Sequence, residues 1–206
     1  MCLVLRRFAV VILVASLLGL GACASTPSRF YTLNTMTASE MRAATAPEGG
    51  PVIGVGPITF PKYLDRPQIV THTSRHQLAL GEFDRWAEPL QENFSRVLAE
   101  NLSILIPTDH ILLENRPQSA TLDYQVQVDV LHLDGWLGGE SALIARWSIL
   151  DRADRQLLSR KVHLNAPADG RNYEAMVVAM NQMLETFSRD IATAIQRLAS
   201  RAVARE

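Results

Sequence analysis

Apolar and polar positions change period several times along the chain, and each period names an element. From Leu122 to Val130 the sequence LDYQVQVDV alternates, with Leu122, Tyr124, Val126, Val128 and Val130 on one side and Asp123, Gln125, Gln127 and Asp129 on the other. A period of two is that of a strand with one face in the core and one in water. ALIARWSIL and QLLSRKVHL follow across the turns GWLGGES and DRADR, so this region predicts an antiparallel meander. VIGVGPITF (Val52 to Phe60) is apolar and β-branched and predicts a strand buried on at least one side. QIVTHT and HQLALGEF, separated by Ser74 and Arg75, predict a hairpin, and RFYTL (Arg29 to Leu33) a further strand.

Two segments carry the helical period. In DRWAEPLQENFSRVLAENLSILIP the residues Leu90, Phe94, Val97, Leu98, Leu102 and Leu105 form one stripe. Pro89 suits a first-turn position and Pro107 ends the segment. Near the C-terminus Tyr173, Met176, Val177, Met180, Leu184, Phe187, Ile191, Ile195 and Leu198 form a longer stripe. Asn172 is its candidate cap, and Glu174 lies in the positive first turn. Met36 to Pro51, rich in Ala, Thr, Gly and Pro, has no sustained period and reads as a linker, or as one weak helical turn around Ser39 to Ala44. The sum is an α+β domain, a mainly antiparallel sheet with two long helices packed on one face.

The N-terminus breaks this pattern. Arg6 and Arg7 precede an apolar run, Phe8 to Leu20, shorter than the roughly 20 residues a spanning helix needs. Such a segment reads as a secretory leader, residues 1–22; an uncleaved anchor helix is the competing reading. Leu20-Gly21-Ala22-Cys23 resembles the bacterial lipobox, in which the cysteine thiol carries diacylglycerol. Ordinary cleavage after Ala22 without lipid is the alternative. Acylated on Cys23, the mature chain would be held by several acyl chains, where one alone binds only reversibly. The tether, residues 23–28, is short. Its five residues after Cys23 reach about 17 Å when extended.

Cysteine count and charge agree with this picture. The chain has two cysteines, Cys2 in the leader and Cys23. No internal disulfide is then available, and stability must come from an ordinary core. The leader removes two arginines and no acid from a chain of net charge −1, which leaves −3 and gives no reason to expect nucleic acid.

Chemistry is sparse. His72, His76, His110, His132 and His163 show no metal-ligand spacing, and no metal is expected. His72 and His76 stand four apart, but in a hairpin. Ser141 in GESAL lacks the glycine that trails a nucleophile elbow. Gly54 and Gly56 belong to no nucleotide-binding pattern and are read as close-packing residues in a strand. Asp151 and Asp154 sit in a turn, where acids serve the backbone. Arg197, Arg201 and Arg205, spaced by four, make a solvated helix face or meet anionic headgroups.

The block Phe60 to Leu102 carries more. YLDRPQIV (Tyr63 to Val70), RWAEPL (Arg85 to Leu90) and the leucine-rich helix after them, together with FYTL near Cys23, resemble the ABC-type transport auxiliary lipoprotein family, the paraquat-inducible protein C-like lipoproteins. The resemblance spreads thinly over residues 29–206 and is dense only in this block. It implies a non-catalytic lipoprotein of an MCE/ABC-type lipid transport system between the inner and outer membranes, with an MCE-domain protein as partner. It implies no cofactor beyond the lipid on Cys23, and it leaves a homo-oligomer open. Ala24 after the cysteine points to the periplasmic face of the outer membrane. Tyr63, Asp65, Arg66 and Trp86 are the candidate partner-binding residues, since arginine and aromatic side chains favour interfaces. Asp65 and Arg66 have a plainer role open to them, a local turn and ion pair, and Trp86 could close the core edge at a helix entrance. An apolar-cavity lipid carrier and an envelope hydrolase are the alternative functions.

Overall fold

A computed structural model describes residues 26–36, 50–108, 110–113 and 121–204. The leader, Cys23, most of the linker and Arg205 lie outside the described residues. The elements are β1 (Arg29–Tyr31), β2 (Ile53–Thr59), a 3-10 turn (Lys62–Leu64), β3 (Gln68–Ser74), β4 (Gln77–Trp86), α1 (Leu90–Leu105), β5 (Ile111–Leu113), β6 (Tyr124–Gly135), β7 (Glu140–Leu150), β8 (Gln156–Pro167) and α2 (Tyr173–Val203).

The fold is α+β, and the meander carries it. β6, β7 and β8 form the long antiparallel ladders, and in β6 every residue of the apolar set from Tyr124 to Val130 is buried. Both helices pack on that face. Phe187 of α2 lies edge-on to Trp147 of β7 (centroids 6.4 Å, 85°) and 6.3 Å from Phe94 of α1, whose ring meets Phe60 at 5.3 Å. Each such aromatic pair adds about 0.5–1.5 kcal/mol beyond the area it buries. Asn172 caps α2 as its sequence position suggests, its Oδ1 accepting from Ala175 N at 2.8 Å.

Three features differ from the sequence expectation. There are two sheets, one of three strands ordered β1-β4-β3 and one of five ordered β5-β2-β6-β7-β8. The short pairings β1/β4, β2/β5 and β2/β6 are parallel, and β5 was not anticipated. A parallel partner lies far away in the chain and leaves no local signature. Second, Asp84, Arg85 and Trp86 do not begin the helix. They end β4, held by Arg29↔Asp84, Phe30↔Arg85 and Tyr31↔Trp86 on one side and Gln68↔Arg85 on the other. The helix starts at Leu90, with Pro89 as its N-cap at extended ψ. Third, the N-terminal strand stops at Tyr31, and Thr32 to Met36 continue without strand pairing.

Candidate partner-binding site

The segment from Arg29 to Met36 is strapped onto the body by side chains. Arg29 donates through Nε and Nη2 to the two carboxylate oxygens of Asp84, both at 2.8 Å, and Tyr31 Oη donates to Asp84 Oδ1 at 2.7 Å. Asp84 is buried, and the Arg29 guanidinium holds its carboxyl below the ordinary carboxylate range. Burial first, then the Asp84 bond, pushes the Tyr31 hydroxyl up to about 12. Further along, Asn93 on α1 accepts from Leu33 N at 2.6 Å and donates to Leu33 O at 3.2 Å. Asn101, eight residues on and so on the same helix face, accepts from Met36 N at 3.0 Å and donates to Ser188 Oγ of α2. Asn181 of α2 accepts from Asn34 N at 2.8 Å. These bonds replace the ladder partners that Thr32 to Met36 lack, as buried backbone groups require.

RPQ and RWAEPL are brought together. Trp86 N donates to Pro67 O at 2.7 Å, and the two segments wall an open cleft of about 600 Å³. Phe60, Lys62, Asp65, Arg66, Trp86 and Glu92 are among its lining residues. The 3-10 turn closes by Leu64 N to Pro61 O and Asp65 N to Lys62 O. Arg66 Nε is shielded from solvent and has no hydrogen-bond partner among the described residues. A guanidinium N–H left this way favours an acceptor brought from outside. Among the described residues Asp65 and Arg66 form no ion pair; the glutamate Glu88 is engaged by Arg96.

Two of the four candidates sit differently from the sequence expectation. Trp86 is only 5 % exposed and belongs to the core cluster, showing the cleft an edge at most. Tyr63 turns away from the cleft. Its hydroxyl donates to Asp134 Oδ2 at 2.6 Å, and burial and that bond raise it well above the ordinary phenol range. Asp134, buried at the end of β6, also takes His72 Nε2 at 3.2 Å, with His132 Nδ1 3.9 Å away. This cluster joins the 3-10 turn and β3 to β6, which is remote from both in sequence. Among the described residues no group of three His, Cys, Asp or Glu side chains is placed to hold a metal ion, and no helix is long and apolar enough to cross a membrane.

The sequence pattern of the ABC-type transport auxiliary lipoprotein component family matches residues 31–192, from the strap to the last third of α2. The chain belongs to this family. Among relatives, it is 25 % identical over 155 residues to the intermembrane transport lipoprotein PqiC of Escherichia coli K12, covering 75 % of this chain and 80 % of that protein. PqiC of Shigella flexneri matches to the same extent. The crystal structure of an uncharacterized protein superposes with a TM-score of 0.68 at 22 % identity, over 82 % of this chain and 99 % of that one. Protein XCC0632 of Xanthomonas campestris gives 0.65 at 15 % identity, over 84 % and 99 %. These two likenesses establish the fold.

As an auxiliary lipoprotein of this family the chain is a transport-associated component of the envelope. The strap asparagines escaped sequence reasoning. The signal was present: Asn93 and Asn101 fall on the apolar stripe of α1, where a polar residue must find a partner. Asp134 left no such signal, lying 71 residues from Tyr63 and about as far from His72.

Proposed function

We propose that this auxiliary lipoprotein works as a non-catalytic docking component of an MCE/ABC-type lipid transport system between the inner and outer membranes. Lipid on Cys23 holds it at the periplasmic face of the outer membrane, and the cleft between Lys62–Pro67 and Trp86–Glu92 receives a segment of an MCE-domain protein. One observation carries this reading. The two motifs that define the family-like block meet in space around a cleft lined by Arg66, whose buried Nε has no hydrogen-bond partner among the described residues. The walls mix Lys62, Asp65 and Glu92 with Phe60 and Leu64, which suits a protein segment rather than acyl chains. An acceptor on the partner, a carboxylate or a backbone carbonyl, completes Arg66.

The test is a pull-down of the MCE protein by the leaderless chain and by Arg66→Ala. Truncating a central arginine of an interface typically weakens binding by about 2 kcal/mol or more, close to thirtyfold. An Arg66→Ala variant that melts like wild type and binds undiminished overturns the docking role of the cleft. Lipidation is tested separately, by mass spectrometry of the cellular protein and of its Cys23→Ser variant.

A further inference from the structure

Phe30 is 64 % exposed, Leu80 46 % and Trp136 41 %, and with Leu78 and Leu137 they make five of the eight large apolar side chains exposed among the described residues. Leu78, Leu80, Trp136 and Leu137 gather at one end of the molecule, whereas Phe30 stands opposite Arg85, further along β4. His72 stacks on Trp136, centroids 5.5 Å apart at 29°, and Leu78 stands opposite His72 in the β3–β4 hairpin, with Leu80 opposite Val70. The turn bearing Trp136 and Leu137 rests on the start of α2: a Cβ on Gly138 would lie 2.5 Å from Arg171 Cγ. Gly138 has φ +75°, so glycine both makes this turn and permits that approach. Tyr173, the first residue of that helix, packs 6.4 Å from Tyr31, and a Cβ on Gly81 would lie 3.3 Å from it. The start of β1, the hairpin, the β6–β7 turn and the N-terminus of α2 are therefore neighbours. The opposite end holds the β7–β8 turn and the C-terminal part of α2.

The chain enters β1 at this same end. Thr26, the first described residue, is three positions after Cys23. We infer that this end is a membrane-contacting face, with Trp136, Leu137, Leu78 and Leu80 resting in the interfacial region of the bilayer that holds the anchor. The inference rests on the reading of Cys23 as the lipidated residue. A tether of about 17 Å cannot carry the anchor far from the point where it joins the body. Side chains around that point meet the bilayer surface at high effective concentration, so even weak apolar contact is populated. Tryptophan suits the place, since its ring is apolar and its N–H is satisfied among headgroups. Charge does not decide the contact: Arg75, His76 and Arg171 are exposed there, but so are Glu82 and Glu140. The consequence is orientation. The anchor supplies attachment at one point, and the apolar end fixes which way the body faces.

Tryptophan emission tests this. Trp136 is exposed, whereas Trp86 and Trp147 are 5 % and 1 % exposed. The leaderless chain has Cys23 as its single thiol. It is coupled there to a maleimide phospholipid and placed on phosphatidylethanolamine–phosphatidylglycerol vesicles with brominated acyl chains. The expected result is loss of about a third of the emission, the share of one tryptophan among three. Trp136→Phe, which keeps a ring against His72, should show almost no loss. Equal quenching in the two proteins overturns the inference. So does Trp136 that is shielded from acrylamide without vesicles in a concentration-dependent way, which would make the patch a contact between two copies of this chain. Because the lipid is attached chemically, either failure leaves the reading of Cys23 untouched.

Discussion

Replacing Asn93 with alanine isolates the strap that holds the Arg29–Met36 segment to the body. In the native protein Asn93 Oδ1 accepts from Leu33 N, and Nδ2 donates to Leu33 O. Leu33 is 1 % exposed and Asn93 equally so, and water does not reach either. The truncation strands the Leu33 N–H, which costs about 1–3 kcal/mol, and removes a second bond with a net value of about 1 kcal/mol. Leu33 O keeps the Thr32 hydroxyl as a donor, so no second full penalty arises. The sum is about 2–4 kcal/mol. In a protein of this size each kcal/mol lowers Tm by roughly 2–4 °C, so a fall on the order of 10 °C is expected. Circular dichroism melts of the leaderless chain measure it, with Ser95→Ala as the control. Ser95 is on the same helix and its hydroxyl only returns to Gln91 O, so that change should stay within about 0.5 kcal/mol. Amide exchange gives the local counterpart: Leu33 to Met36 should lose protection in Asn93→Ala more than β6 and β7 do. A melt within 2 °C of wild type, or unchanged protection at Leu33, would refute the strap.

Asp84 gives a pH signature. Its folded-state pKa is depressed, chiefly by Arg29, so its contribution is present above the unfolded carboxylate value and is lost as pH falls through the folded one. Asp84→Asn should therefore be destabilised at neutral pH and show a shallower loss of stability on acidification than wild type, in denaturant melts stepped from pH 6 downward. Trp86→Ala should cost about 3–5 kcal/mol because the ring is core, so reduced partner binding by that variant would report unfolding. Ser141 is fully buried with an Oγ that has no hydrogen-bond partner among the described residues. Ser141→Ala should stay within about 1 kcal/mol of wild type in a urea titration and should keep envelope function; a stably folded variant without function would argue for a hydrolase.

Much of the architecture was legible because local pattern and tertiary burial agree there. The alternation from Leu122 to Val130, the stripe of α2 with its Asn172 cap and the β3–β4 hairpin are all as the sequence suggests. Asp151 is another such case, its Oδ1 accepting from the Ala153 and Arg155 N–H groups as a turn aspartate does. What escaped was non-local. Asp84 to Trp86 run straight into a helical stripe in the sequence, and pairing with β1, more than fifty residues upstream, and with Gln68 of β3 shows them to be strand. The same separation hid the parallel pairings and β5. At the candidate site, Asp65 and Arg66 line the cleft, whereas Tyr63 is drawn off by Asp134, a carboxylate 71 residues away that sequence spacing does not connect to it. Of the two roles open to Trp86 in the sequence, its burial fits closure of the core edge.

Photocrosslinking inside the cell tests the central claim most directly. A photoreactive amino acid at Lys62 or Glu92, both exposed on the cleft rim, should give an adduct with an MCE-domain protein, and the same substitution at Lys161, exposed on β8 away from the cleft, should not. Adducts from Lys161 with none from Lys62 or Glu92 would contradict the account and move the docking surface to the meander edge.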